Sequence, residues 1–263
     1  MIEWGLYAMV GIFAGLSAGM LGLGGGLIIV PSLLMVFSWQ AMPETQLMHF
    51  AVGTSLMTIT VTSISSLYAH QKHGNINWQI TRRLMPGLIS GGLFGAYLAT
   101  LLTSDLLQQI FAIYAFVMAL RMWFPVSLSI KNGLLNKVTL QLAGAVIGSI
   151  SALVGIGGGT LIVPYLVMAK QMMQRAIGTS AACGLPISIA AVAGYMIFGQ
   201  PEQTINGVWQ TGFIHWHAFW GIVSTSIVAA PLGALWAKRL PINRLRQLFS
   251  LVLLMVALYL LNS

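Results

Sequence analysis

Two glycine runs carry the first chemistry in this chain: Gly24-Gly25-Gly26, and Gly157-Gly158-Gly159 with Thr160 directly after it. A glycine costs a helix interior about 1 kcal/mol relative to alanine, so a helix that meets three in a row is expected to open. The apolar segments that follow, Leu27 to Phe37 and Leu161 to Ala169, would then begin with unpaired N–H groups and the positive end of the helix dipole. Such a start binds an anion without any lysine. Gly53-Thr54-Ser55 and Gly178-Thr179-Ser180 add hydroxyl donors and a glycine that permits close approach. Arg175, three residues before Gly178, offers a positive charge, although a cytoplasmic anchoring role suits it as well.

The acidic inventory points the same way. Glu3, Glu44, Asp105 and Glu202 all fall in loops or termini, so no carboxylate is expected inside an apolar segment. Cation carriers commonly place Asp or Glu within the membrane, which leaves a cation or metal permease as the weaker alternative. No Ser-His-Asp order, carboxylate pair or zinc motif lies in the apolar runs, so neither an enzyme nor a cofactor is expected. His70 with His73, and His215 with His217, read as loop or interfacial histidines, and Cys183 as a small core residue.

The elements that position these groups must cross a bilayer. Of 263 residues, 57% are hydrophobic and 6% charged, which excludes a soluble globule. The net charge of +8 is scattered between apolar runs and makes no nucleic-acid patch. The start Met1-Ile2-Glu3-Trp4 lacks a basic leader region and is expected to belong to the mature protein. Long apolar stretches run from Trp4 to Leu21, Met48 to Ala69, Leu84 to Leu102, Leu106 to Phe124, Val138 to Val154, Met172 to Phe198, His217 to Ala237 and Leu245 to Leu261. With the two short segments after the glycine runs, they predict an all-α polytopic membrane bundle of ten segments.

Self-similarity organises them. The stretch Gly22 to Pro31 recurs as Gly155 to Pro164, an offset of 133 residues (155 − 22), and each copy is followed by Gly-Thr-Ser. One glycine cluster alone would read as a tight packing turn; the paired recurrence favours a functional break. Gly11, Gly15 and Gly19 match Gly144, Gly148 and Ala152, while Gly87, Gly91 and Gly95 match Thr225, Ala229 and Gly233. Small residues four apart predict faces where helix backbones touch. The chain therefore reads as one membrane domain, 1–263, made of repeats 1–130 and 131–263. Lys and Arg collect in cytoplasmic loops. The loops holding Lys72, Arg82 and Arg83; Lys131 and Lys137; Lys170 and Arg175; and Lys238 to Arg246 share one side only if Val138 to Ala169 goes in and comes back, as a span plus a returning half-helix. Five segments per repeat then predict inverted halves with both termini outside. Broken helices in inverted repeats are a plan of secondary transporters, with substrate held near the midplane.

At the duplicated Gly-x-Gly-Gly-Gly…Pro and Gly-Thr-Ser motifs the chain resembles the TauE/SafE family of sulfite exporters and 4-toluene sulfonate uptake permeases, over nearly its whole length. The resemblance implies a bacterial inner-membrane permease whose partners are the lipid bilayer and a small anionic substrate, sulfite or an organosulfonate. It leaves the oligomeric state open, and export rather than uptake is preferred on the resemblance alone. An anion leaving a negative-inside cell gains about 2.3 kcal/mol per charge per 100 mV, so export needs no coupling ion. A non-transporting membrane assembly partner, in which the glycines serve packing only, is the second alternative.

Overall fold

The computed structural model describes residues 2–21, 25–124, 135–201, 209–237 and 242–262. Among them are ten helices: α1 (Ile2–Leu21), α2 (Gly26–Trp39), α3 (Glu44–Lys72), α4 (Trp78–Leu101), α5 (Ser104–Trp123), α6 (Lys137–Val154), α7 (Gly159–Met168), α8 (Met173–Ile197), α9 (Trp216–Ala237) and α10 (Ile242–Asn262). A two-stranded antiparallel hairpin, β1 (Gln210–Thr211) with β2 (Ile214–His215), precedes α9. The bundle is all-α apart from that hairpin, as the composition predicts. Helices α3, α4, α5, α6 and α8 are each long and apolar enough to cross a membrane. Their outer faces carry large apolar side chains, including Phe94 at 56% and Val146 at 59% exposure, which water would not tolerate in such number but lipid tails do.

Both short helices begin where the glycines predict. Gly25 and Gly158 sit in the left-handed region, with φ 72° and 73°, as the N-caps of α2 and α7. Gly155, with φ 76°, ends α6. These conformations favour glycine because a Cβ would clash with the backbone. Pro31 and Pro164 lie inside α2 and α7 rather than at their ends, so the glycines alone make the breaks. Gly24 lies outside the described residues.

Helices α3 and α8 occupy the centre and pack on each other. Around them α1 packs on α9, α4 on α6, and α5 on α10. The four-spaced glycines line the first two seams. A methyl on Gly11 would stand 2.4 Å from the Ile222 carbonyl oxygen on α9, and one on Gly91 would stand 2.1 Å from that of Ala145 on α6. The backbones therefore touch, which is how helices associate where no water can be squeezed out.

Each broken pair is a hairpin. The Tyr7 hydroxyl near the start of α1 and the Gln40 side chain at the end of α2 are hydrogen-bonded at 2.9–3.1 Å, so the two helices return to one level. His215 and Phe37 stack at that same end. The starts of α6, α8 and α4 and the end of α7 gather elsewhere, in a separate core of Leu140, Ala176, Ile80, Leu84 and Leu166.

Candidate anion site between two helix starts

The two breaks meet in the middle of the bundle. A methyl on Gly26 would lie 2.5 Å from the Gly155 carbonyl oxygen and 2.9 Å from Ile59 Cδ1. One on Gly157 would lie 2.8 Å from Ile59 Cγ2. Ile59 is one residue past the midpoint of α3. From the opposite side, Gly184 near the midpoint of α8 approaches the Gly157 carbonyl, at 3.1 Å from its own Cβ position. Depth follows from this: the helix starts lie halfway along the two central helices.

The electrostatic sign is set by which ends are capped. The carbonyl of Ser151, in the last turn of α6, accepts from the N–H groups of Gly155 and Ile156, and the Gly155 carbonyl accepts from the Ser55 hydroxyl at 2.9 Å. Those acceptors are committed. The Gly158 carbonyl takes the N–H groups of Leu161 and Ile162, and the Gly25 carbonyl those of Ile28 and Ile29. The N–H groups of Gly26, Leu27, Gly159 and Thr160 have no partner within their own helices, because the first turn of any helix lacks one. The Ser151 and Gly155 carbonyls already have partners, and two positive helix ends with their first-turn donors meet in one region. Helix starts of this kind suit negative charge. No group of three or more metal-ligating side chains occurs among the described residues.

The Gly-Thr-Ser elements serve different contacts. Thr54, Ser55, Thr179 and Ser180 are all buried, at 2% exposure or less. Thr54 Oγ1 accepts the N–H of His215 at 3.0 Å, and Thr179 Oγ1 accepts the N–H of Asn77 at 3.0 Å. Gly53 and Gly178 make room for the chain just before those residues. Methyls there would stand 2.5 Å from the Phe213 carbonyl oxygen and 2.4 Å from that of Asn75. His215 and Asn77 in turn cap the next helix, accepting from Ala218 N at 3.1 Å and Ile80 N at 3.3 Å. Each Gly-Thr pair is thus a seat for the loop that starts α9 or α4. Among the described residues, Ser55 is the one of these hydroxyls that hydrogen-bonds to a glycine break. Arg175 is exposed at the start of α8 and is not buried with Gly178 and Thr179.

Sequence reasoning missed three groups. His215 is 3% exposed, between Tyr7, Phe37 and His217, rather than interfacial. Its Nδ1 accepts a backbone N–H, so the neutral ring carries its proton on Nε2. Ser151 and Tyr114 border the second break. Ser151 had a visible sign, a departure from Ala18 at the repeat offset; Tyr114 had none.

Burial, with the neighbouring His217, pushes the His215 imidazole down from 6.5 to about 4. The unfolded chain therefore binds the extra proton first as pH falls. Stability is fully present above pH 6.5 and is lost between 6.5 and about 4, by about 3 kcal/mol for this group. His215→Asn retains a capping oxygen and cannot titrate. Thermal unfolding of the purified protein from pH 7 to 4 should show a smaller loss for that variant; equal slopes would remove His215 as the cause.

A bundle of this kind, with apolar outer faces and two interrupted helices opening at mid-depth, is that of a multi-pass membrane transporter. The chain belongs to the sulfite exporter TauE/SafE family, whose family model, described as "Sulfite exporter TauE/SafE", matches residues 7–260. It is 34% identical to a probable membrane transporter protein of Haemophilus influenzae, with 96% of each chain covered. It is also 27% identical to one of Methanocaldococcus jannaschii, over 97% of this chain and 94% of the relative. A third relative, YunE of Bacillus subtilis, is 24% identical, with 95% and 94% covered. No solved structure matches.

Proposed function

We propose that the chain moves a small sulfur oxyanion, sulfite or an organosulfonate, across the bacterial inner membrane, holding it between the starts of α2 and α7. The observation that carries this is the meeting of two helix N-termini without side-chain caps halfway along α3 and α8, beside a Gly155 carbonyl that the Ser55 hydroxyl already occupies. A monoanion or dianion gains from both dipoles in a region shielded from water. The Gly-Thr-Ser seats support the same cycle at one remove, by fixing the loops that begin α4 and α9.

In this reading residues 1–130 and 131–263 are inverted repeats. Support comes from the matching order of the two halves. Helices α1 and α6 both end at a glycine break, and α2 and α7 both start at a left-handed glycine. The Thr54–His215 and Thr179–Asn77 bonds exchange the halves. Cysteines introduced at Glu44 are expected to react with an impermeant reagent from the periplasm and those at Lys131 only after lysis. The reverse at Glu44 would end the inverted arrangement.

Counterflow in proteoliposomes tests the cargo. Vesicles loaded with unlabelled sulfite or an alkylsulfonate should accumulate the labelled anion tenfold or more above protein-free vesicles, and should not accumulate sodium or divalent metal. Accumulation of a cation alone would overturn the proposal.

A further inference from the structure

The two helix starts are not equivalent. At the repeat offset, Thr160 replaces Leu27 and Ser151 replaces Ala18. Thr160 is 6% exposed, and its hydroxyl shares a hydrogen bond with that of Tyr114 from α5. Two hydroxyls bring two protons; one closes their mutual bond and the other is left to donate. Ser151 is 2% exposed, its Oγ has no partner, and it lies 3.5 Å from where a methyl on Gly158 would stand. That is the N-cap of α7. A buried hydroxyl is normally hydrogen-bonded, yet nothing among the described residues accepts from this one, which lies beside the helix start. At the start of α2 the equivalent side chain is Leu27, 3% exposed, and Gly26 is pressed against the Gly155 carbonyl.

Resting on the proposed anion transport, we infer that the oxyanion is held at the α7 start alone, while the α2 start is a packed wedge that contributes its dipole. The Ser151 hydroxyl, the free proton of the Thr160–Tyr114 pair and the first-turn N–H groups of Gly159 and Thr160 are three kinds of donor at one helix start. A single-headed carboxylate has two oxygens to offer them; a sulfite or sulfonate head has three. The site therefore selects heads with three acceptor oxygens. Ser151 and Thr160 would touch the anion, whereas Tyr114 positions the Thr160 hydroxyl.

Saturable uptake of labelled sulfite, with acetate as the two-oxygen comparison, separates these roles. Ser151→Ala and Tyr114→Phe are each expected to raise KM for sulfite tenfold or more with the maximal rate changed less than threefold. Leu27→Met at the other start should stay within threefold of the parent. An unchanged KM in Ser151→Ala and Tyr114→Phe, with transport intact, would overturn the one-sided site and leave the transport proposal standing. Absence of uptake by the parent protein would instead strike the transport proposal. Crystals soaked in selenite, a heavier anion of the same shape, give a readout independent of flux. An anomalous peak beside Ser151 and Thr160 supports the inference; a peak at Gly25–Leu27, or none, refutes it.

Discussion

Replacing Gly26 by alanine is expected to abolish anion flux and to lower the thermal midpoint of the purified protein. The added methyl would stand 2.5 Å from the Gly155 carbonyl oxygen, a backbone atom held in place by the Ser55 hydroxyl. Ile59 Cδ1, at 2.9 Å, can rotate away; the carbonyl cannot without unwinding the end of α6. Overpacking of this kind costs about 1–3 kcal/mol, and more where both partners are backbone. The strain falls on the contact that brings the two helix starts together. Gly5→Ala, where a methyl meets open space, is the matched control and should change neither quantity. If Gly26→Ala keeps full flux and an unshifted midpoint, the breaks do not touch and the mid-bundle meeting is wrong.

The double variant Thr54→Val, Thr179→Val should lose stability before it loses any contact with the anion. Each valine leaves a backbone N–H, that of His215 or Asn77, without its acceptor. An unsatisfied buried donor costs about 1–3 kcal/mol, so the pair should cost about 2–6 kcal/mol if the sites act independently. The seats belong to different loops, which makes additivity a fair expectation. Serine at both positions keeps the oxygen and should restore most of the midpoint. A double valine variant with an unshifted midpoint and no flux would put these hydroxyls on the anion instead of on the loops.

Much of this architecture is legible in the sequence because bilayers reward long apolar runs and little else. The run Leu161 to Ala169 is α7 within two residues, and its shortness alone marks a helix that does not cross. The breaks are readable too, since few folds tolerate three consecutive glycines in a helix and the same run recurs 133 residues (155 − 22) further on. Gly-Thr-Ser was harder. A glycine beside two hydroxyls has the same composition whether it faces an anion or receives a loop, and the difference rests on partners 161 residues away from Thr54 and 102 from Thr179. His215 shows the same blindness. Next to tryptophan in a loop it reads as interfacial, yet the β1–β2 hairpin, turned at Gly212 with φ 53°, folds it inward against α3.

The glycine seams have a mechanical consequence. Since α1 lies on α9 and α6 on α4, each half of the chain grips a helix that belongs to the other. Sliding residues 1–130 as a block past 131–263 would peel open two zippers whose teeth are bare backbone. Were the halves to rock in the proposed cycle, the mixed pairs, α1 with α9 and α4 with α6, would be the rigid levers on either side of α3 and α8. In such a machine the parts that move together would not be the parts that are alike in sequence.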